Sequence, residues 1–347
     1  VGGLHVTSLP EEPVALGIPV VAGQGELAWA DVLSDAEKGR LEPLYDVRGR
    51  RFDLAHAPLP AFELLGSGLY NRLTIQTSRG CPWKCSFCAS SILLTSRYEQ
   101  KPIERVLAEI DRVRELWKRP FVEFADDNSF VNRRYWRALL PEIAARGLRW
   151  FTETDISIAD DDELLDAIAA AGCEQVLIGL ESPSPEGLDG VELKRDWKLR
   201  RQPRYVEAVR RIQSRGIRVN ACFVVGLDGH TQSVFDEIYR FAEEATPYDV
   251  QVTYPTPFPG TPLYESLKRA GRLTHDGEWE RFTLFDIDFV PTPLDAETLR
   301  RGFHDLVARL YAEDFTRWRQ ERFKKQLREA RRRDEALPWP AAFADAP

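Results

Sequence analysis

The sequence contains no methionine, and it is poor in cysteine and histidine, with five of each among 347 residues. So few cysteines exclude a disulfide-stapled secreted scaffold and suit a reducing compartment. No apolar run approaches the roughly 20 residues that span a bilayer, so we expect no membrane span. No basic segment followed by an apolar stretch opens the sequence, and we therefore expect no export signal and a cytoplasmic location.

Positive charge is also in deficit, because 47 basic residues face 55 acidic ones and leave a net charge of −8. A field of this sign attracts neither nucleic acid nor an anionic membrane surface, so we expect no nucleic-acid partner. The basic residues at 324–333 end a predicted helix over 295–333 in which acidic residues are interleaved, which favours a solvated helix face. The length suffices for one large domain, or for one domain with an appendage.

Three of the five cysteines, Cys81, Cys85 and Cys88, lie within eight residues at Cys-x3-Cys-x2-Cys spacing. Thiolates this close can hold one soft metal centre, and cysteine is the usual ligand of iron–sulfur clusters. A cubane cluster has four irons, so three cysteines leave one iron open to a small-molecule ligand. A structural zinc site usually shows four ligands in paired knuckles, whereas Cys173 and Cys222 stand alone in apolar runs.

The segment from Thr77 to Cys88 resembles the cysteine signature of the radical SAM superfamily. The resemblance implies a [4Fe–4S] cluster on the three cysteines, with S-adenosylmethionine (SAM) chelated by the open iron and cleaved to a 5′-deoxyadenosyl radical. Phe87, just before the third cysteine, would shield the cluster from water. The resemblance also implies an external electron donor of the reduced flavodoxin or ferredoxin type.

From Leu73 onward, short apolar stretches alternate with amphipathic ones. This alternation predicts a parallel α/β sheet, either doubly wound or closed toward a barrel. Radical SAM cores are typically a partial (β/α)6 TIM-like barrel, and the count matches over residues 71–264. Strands are predicted over 73–77, 121–125, 148–152, 175–180, 217–225 and 250–254, and helices over 102–117, 132–146, 161–171, 204–215 and 233–245.

Polar residues follow the predicted strands, at the edge where the chemistry of such barrels gathers. The resemblance implies that Asp126 and Asp127 receive the ammonium group of SAM, and that Glu153 contacts its ribose hydroxyls. Glu181 ends a common fourth-strand motif, and its position after an apolar run is hard to explain as core because a buried carboxylate is costly. Lys194 would pair with the SAM carboxylate, with a solvated lysine as the alternative.

Other polar positions keep two interpretations. Asn128 and its aspartate neighbours could cap the next helix, a role that suits Asp and Asn. In the turn 226–231 the glycines would let the backbone approach adenine, and Asp228 or His230 stays open as an acid/base beside ordinary turn chemistry. The proline-rich stretch 254–264 would either stiffen a loop over the cavity mouth or serve as a connector.

Residues 1–42 resemble, through glycines at 2, 3, 23 and 25, the end of the cobalamin-binding domain that precedes many radical SAM cores. The histidine-bearing loop of that family has no counterpart here. We therefore predict a short α/β remnant over 1–42, a linker over 43–70 and a mostly helical extension over 265–347, loose from Pro338.

The resemblance predicts a radical SAM enzyme of the cobalamin-associated branch, with cobalamin as a candidate cofactor and C-methylation as a candidate outcome. Its radical would take hydrogen from a small-molecule, lipid or natural-product substrate that the loops do not name. One alternative is cobalamin-independent rearrangement, dehydrogenation or thioether chemistry. The other is an iron–sulfur or zinc module without catalysis.

Overall fold

The computed structural model describes residues 1–66, 68–90 and 97–333. Its strands, in chain order, are β1 (Val20–Ala22), β2 (Leu44–Asp46), β3 (Leu73–Ile75), β4 (Ser78–Arg79), β5 (Glu99–Gln100), β6 (Phe121–Ser129), β7 (Arg149–Thr154), β8 (Cys173–Glu181), β9 (Arg218–Val224) and β10 (Asp249–Thr253). Its α-helices are α1 (Leu4–Ser8), α2 (Glu11–Ala15), α3 (Trp29–Glu37), α4 (Ile103–Leu116), α5 (Arg133–Ala145), α6 (Asp162–Ala170), α7 (Trp197–Arg201), α8 (Tyr205–Gln213), α9 (Val234–Ala245), α10 (Pro262–Arg269), α11 (Ala296–Leu310) and α12 (Glu313–Arg333).

The centre of the molecule is a six-stranded sheet in the order β10-β9-β8-β7-β6-β3, and every pairing in it is parallel. Parallel neighbours require crossover connections, which α4, α5, α6, α8 and α9 supply. The six strands and five helices predicted from residue 73 onward are therefore confirmed. An open sheet of six parallel strands agrees with a partial barrel.

The core forms where the helices cover this sheet. Phe124 of β6 and Trp150 of β7 pack edge to face, with ring centroids 5.1 Å apart, and Trp136 of α5 stacks parallel to Trp150. The indole nitrogen of Trp150 donates to the carbonyl of Ala171, so this buried polar group has its partner.

Asn132 accepts from the backbone N–H of Tyr135 and caps α5, so the capping role considered for Asn128 falls to Asn132 instead.

The N-terminal part differs from the predicted boundary. Leu44–Asp46 forms β2, which pairs in parallel with Val20–Ala22, so these residues extend the N-terminal unit into the predicted linker. Phe62, further along the same segment, is buried in the main core. A three-residue strand is too short to show an alternation of apolar and polar positions, which explains why the sequence does not reveal it.

The described part of the C-terminal extension is helical from Ala296 to Arg333 with one break, whereas residues 270–295 contain only one 3-10 turn, Trp279–Arg281. Helices α11 and α12 are separated at Tyr311 and Ala312, and the Tyr311 hydroxyl donates to the carbonyl of Val250 in β10. Helix α10 crosses the predicted end of the core at residue 264. The segment from Pro338 lies outside the described residues. Among the residues that the structure describes, no helix is both long and apolar enough to cross a membrane.

Substitution of Gly302 tests the packing of helix α11 of this extension against helix α9, which covers the sheet. A Cβ at Gly302 in α11 would lie 2.1 Å from a ring atom of Phe235, a buried residue of α9. Glycine to alanine in a helix ordinarily stabilises by about 0.5–1 kcal/mol. We expect Gly302→Ala instead to lower the free energy of unfolding by about 1–3 kcal/mol through overpacking, measured by urea denaturation.

The matched control is Arg301→Ala, because Arg301 is exposed on the same helix. Its free energy of unfolding should stay within about 0.5 kcal/mol of the wild type. A Gly302→Ala protein more stable than the wild type would contradict the described contact between α11 and α9.

Candidate active site at the carboxyl ends of the strands

A cavity of about 410 Å³ opens where the parallel strands end. It draws side chains from the cysteine loop and from strands β6 to β10, as expected for a parallel α/β sheet. Asp126 and Lys194 are not among the residues that line it. The predicted site residues that line it are Cys81, Cys85, Phe87, Cys88, Asp127, Glu153 and Glu181.

Asp126 has another position, beneath the cysteine loop. Its carboxylate is 3% exposed and accepts from the backbone N–H groups of Thr77 and Ser78, both at 2.8 Å, and from the Thr77 hydroxyl. Burial raises the pKa of Asp126, and these hydrogen bonds oppose that rise. Asp126 therefore fixes the start of the loop to β6 and leaves the cavity wall to its neighbour. Asp127 accepts from the backbone N–H of Gly80 at 2.7 Å.

The loop is held on a second side by Asn128 and Asp155. The Asn128 amide N–H donates to the Cys81 sulfur at 3.6 Å and to the Asp155 carboxylate at 2.9 Å. Asp155 also accepts from the indole N–H of Trp83 at 3.0 Å. Trp83 in turn stacks on Trp197, with ring centroids 4.6 Å apart. This network runs through residues that the sequence analysis did not assign to the site.

A third anchor is Glu192, in the segment between β8 and α7. Its carboxylate is 1% exposed and accepts from the backbone N–H groups of Lys84 in the cysteine loop and of Arg195 in its own segment. The backbone of Ser86 also donates to the carbonyl of Val191 at 2.8 Å. The cysteine loop is thus tied to the segment after β8 as well as to β6.

The thiols fit an iron–sulfur cluster in type and placement. All three face one cavity, and in a cluster each cysteine binds a different iron atom. Among the described residues, no group of three or more His, Cys, Asp or Glu converges closely enough to hold a single ion. Burial raises the pKa of Cys81 to about 11 and of Cys85 to about 12. Iron binding would therefore have to displace these protons to create the thiolate ligands.

Glu181 pairs with a lysine that the sequence analysis missed. The ammonium of Lys198 donates to the Glu181 carboxylate at 2.7 Å and to the carbonyl of Gly179, and both side chains are about nine-tenths buried. Burial alone would lower the pKa of Lys198, but the charge of Glu181 raises it above its ordinary value. Lys198 lines the cavity, whereas the side chain of Lys194 is exposed outside it.

Glu181 also has an unusual backbone, with a φ of 67° in the left-handed region. Such a conformation costs a non-glycine residue about 1–3 kcal/mol and persists only where the surroundings enforce it. Ser182, immediately after it, is fully buried, and its hydroxyl forms a hydrogen bond of 3.0 Å with Nε2 of His230. The turn after β9 therefore supports the strained end of β8.

Glu153 faces the cavity from the end of β7. The surrounding protein raises the pKa of Glu153 although its side chain is exposed on the cavity wall, and the nearby carboxylates of Glu123 and Asp127 add to that rise. A ligand that donates hydrogen bonds to it would favour the ionised form.

His230 and Asp228 serve the turn and do not reach the cavity. His230 accepts from the backbone N–H of Gly226 through Nδ1, which leaves the proton on Nε2 for Ser182. Burial lowers the pKa of His230 from 6.5 to about 4, so the ring is neutral at pH 7. Asp228 pairs with Arg272 at 2.7 Å. The acid/base role left open for these residues therefore has no support, and turn structure accounts for them.

The neutral His230 generates a pH prediction. Between pH 6.5 and about 4 the unfolded chain binds a proton at this ring that the folded protein does not, so stability falls as the pH falls through this window. The resulting decrease in the free energy of unfolding reaches about 3 kcal/mol at pH 4. Urea denaturation across this range should give a shallower pH slope for His230→Gln than for the wild type.

His304→Gln, at an exposed position, is the matched control and should keep the wild-type slope. Equal slopes for His230→Gln and the wild type would show that His230 is not held neutral.

Comparisons with known proteins agree with this geometry. Residues 75–242 match the sequence profile of the Radical SAM superfamily, and residues 261–342 match a domain of unknown function, DUF4070. An uncharacterized methyltransferase of Synechocystis, sll1242, is 30% identical over 305 residues, which cover 85% of this chain and 56% of that protein. This chain thus spans little more than half the length of that relative.

A second relative is the bacteriochlorophyllide d C-12(1)-methyltransferase of Chlorobaculum tepidum, 26% identical over 318 residues, with 90% of this chain and 68% of that protein covered. The solved structure of the radical S-adenosylmethionine methyltransferase TsrM from Kitasatospora setae, with cobalamin and a [4Fe-4S] cluster bound, has a TM-score of 0.65 at 18% identity. It covers 96% of this chain and 80% of TsrM, which shows a shared fold. The profile match shows that the core of this chain, residues 75–242, belongs to the radical SAM superfamily.

Proposed function

We propose that this chain binds a [4Fe–4S] cluster through Cys81, Cys85 and Cys88 and cleaves SAM reductively in the adjoining cavity. The observation that carries the proposal is that the three thiols share one cavity with acidic side chains from neighbouring strand ends. Members of the radical SAM superfamily use this cluster and SAM. The zinc alternative and the non-catalytic alternative leave the acidic side chains and Lys198 of this cavity without a role.

The polar groups of SAM have candidate partners in this cavity. Asp127 presents a carboxylate beside the cysteine loop, which suits the ammonium group. Glu153 at the end of β7 suits ribose hydroxyls, which would draw it to the ionised form. Lys198 has three N–H donors, and Gly179 and Glu181 occupy two of them. The third suits the SAM carboxylate, a role that we therefore propose for Lys198 in place of Lys194.

The remaining lining residues would keep water out. Phe87, Trp83 and Trp197 present aromatic surface between the cysteine loop and the segment after β8. When bound, a reduced cluster would supply one electron that breaks the C5′–S bond of SAM, giving methionine and a 5′-deoxyadenosyl radical that takes one hydrogen atom from a substrate C–H bond. The electron would come from an external donor of the reduced flavodoxin or ferredoxin type, which the superfamily requires.

We further propose C-methylation as the outcome, supported by the two relatives named as methyltransferases. Cobalamin, bound in the TsrM structure, is the cofactor that this proposal would need. The described residues 1–66 supply one two-stranded sheet and the short helices α1 to α3, and His5 is engaged with Glu12 at 3.0 Å. These residues by themselves do not form a site that fits cobalamin, so we assign it no ligand in this chain.

The experiment is anaerobic reconstitution with iron and sulfide, followed by SAM and dithionite and measurement of 5′-deoxyadenosine. We expect the product from the wild type, and none above the blank without reductant from Cys85→Ala, which removes a cluster ligand. Cys173→Ala is the matched control, because Cys173 is a buried cysteine outside the cavity, and it should keep the wild-type rate.

An iron-loaded wild type that leaves SAM intact would contradict the proposed chemistry. A Cys85→Ala protein as active as Cys173→Ala would contradict the ligand assignment. With a substrate in hand, methylated product would separate C-methylation from rearrangement, dehydrogenation or thioether formation.

A further inference from the structure

A second cavity, of about 240 Å³, adjoins the cysteine cavity, and we call it the apolar chamber. Phe258 lines both cavities, and Ala89 of the chamber directly follows Cys88. The chamber lies where helix α1, the cysteine loop, the proline-rich loop after β10 and the C-terminal extension meet. Its lining residues are Leu4, His5, Ala89, Phe258, Pro259, Trp279 and Phe282.

The polar groups on this wall bond one another. The indole N–H of Trp279 donates to both carboxylate oxygens of Glu12, at 2.9 and 3.0 Å. Nε2 of His5 lies 3.0 Å from the same carboxylate. The Glu12 charge is thus engaged by two neighbours. What the chamber offers to an occupant is mainly aromatic and aliphatic carbon.

The aromatic walls are held in place rather than free to collapse. The rings of Trp279 and Phe282 pack edge to face with centroids 5.0 Å apart, and Phe282 is buried. The ring of His5 packs edge to face on Trp279 at 5.3 Å. Entry of apolar surface into a preformed cavity with such walls is favourable, whereas entry of an unpaired charge is unfavourable.

The chamber is smaller than the space of about 300–1,000 Å³ that encloses a whole drug-sized ligand. We propose that it binds an uncharged apolar ring or hydrocarbon portion of the substrate, whose remaining part passes Phe258 into the cysteine cavity. Naming the occupant as substrate rests on the proposed function. The chamber's preference for an uncharged apolar group rests on its lining alone.

The test uses N-phenyl-1-naphthylamine, a neutral apolar probe whose fluorescence rises when it is bound, with the anaerobically reconstituted protein. We expect saturable binding that SAM does not displace. Leu4→Asp should weaken it by about tenfold or more, because its carboxylate would have to lose water beside the probe. Leu16→Asp is the matched control, since Leu16 is 77% exposed in the same N-terminal unit, and it should bind as the wild type does.

If Leu4→Asp does not fold, as judged by circular dichroism, Leu4→Trp replaces it, since a larger apolar side chain would fill the chamber and exclude the probe. Equal affinity of the folded Leu4 variant and the wild type would overturn the proposal, and so would displacement of the probe by SAM. Tighter binding of benzyltrimethylammonium than of the neutral probe would also overturn it, because aromatic walls can hold cations.

Probe binding requires no SAM cleavage, so the two proposals fail separately. Binding that depends on Leu4 in a protein that forms no 5′-deoxyadenosine would leave the chamber's apolar preference standing while the proposed function falls. Normal 5′-deoxyadenosine formation without probe binding in the chamber would leave the proposed function standing and overturn the proposal for the chamber.

Discussion

The buried carboxylate of Asp126 is the contact on which the candidate site depends. It accepts hydrogen bonds from two backbone N–H groups and one hydroxyl of the segment that leads into the cysteine loop. Without these partners, a charge buried at this place would be costly. The loop therefore leaves β3 in a fixed direction and presents its cysteines above the ends of the neighbouring strands. Asp127, the next residue, alternates to the other side of β6 and faces the cavity. Of these two adjacent aspartates, Asp126 thus anchors the loop, and Asp127 presents a carboxylate to the cavity beside it.

The opposite wall depends on a strained residue and its supports. Glu181 has left-handed backbone at the end of β8, pairs with the buried Lys198, and is followed by Ser182, which His230 contacts from the turn after β9. Glu192, later in the same segment, holds the cysteine loop from its far side. Because these contacts link β6, β8 and β9 through the loop, the cavity walls cannot shift independently. This is the rigidity that a site needs to orient a cofactor and exclude water.

Much of this arrangement is predictable from the sequence, for identifiable reasons. The strands and helices after residue 73 follow from strong periodicity, and the candidate cysteine site follows from the spacing of Cys81, Cys85 and Cys88. The choice between Lys194 and Lys198 is different. It depends on α7, a five-residue helix entered through the left-handed residue Asp196, and neither feature leaves a periodic signal. The placement of Asp126 below the loop, and of Asn128 beside Cys81, depends on tertiary contacts between distant segments, which local patterns do not encode.

The most direct test of the central claim is electron paramagnetic resonance of the reconstituted, dithionite-reduced protein, before and after SAM is added. The claim is that three cysteines hold a cluster whose fourth iron is open to SAM. It predicts the signal of one reduced [4Fe–4S] cluster, with g values that shift when SAM binds, and loss of that signal in Cys81→Ala. A cluster signal that SAM leaves unchanged, or one that survives in Cys81→Ala, would contradict it.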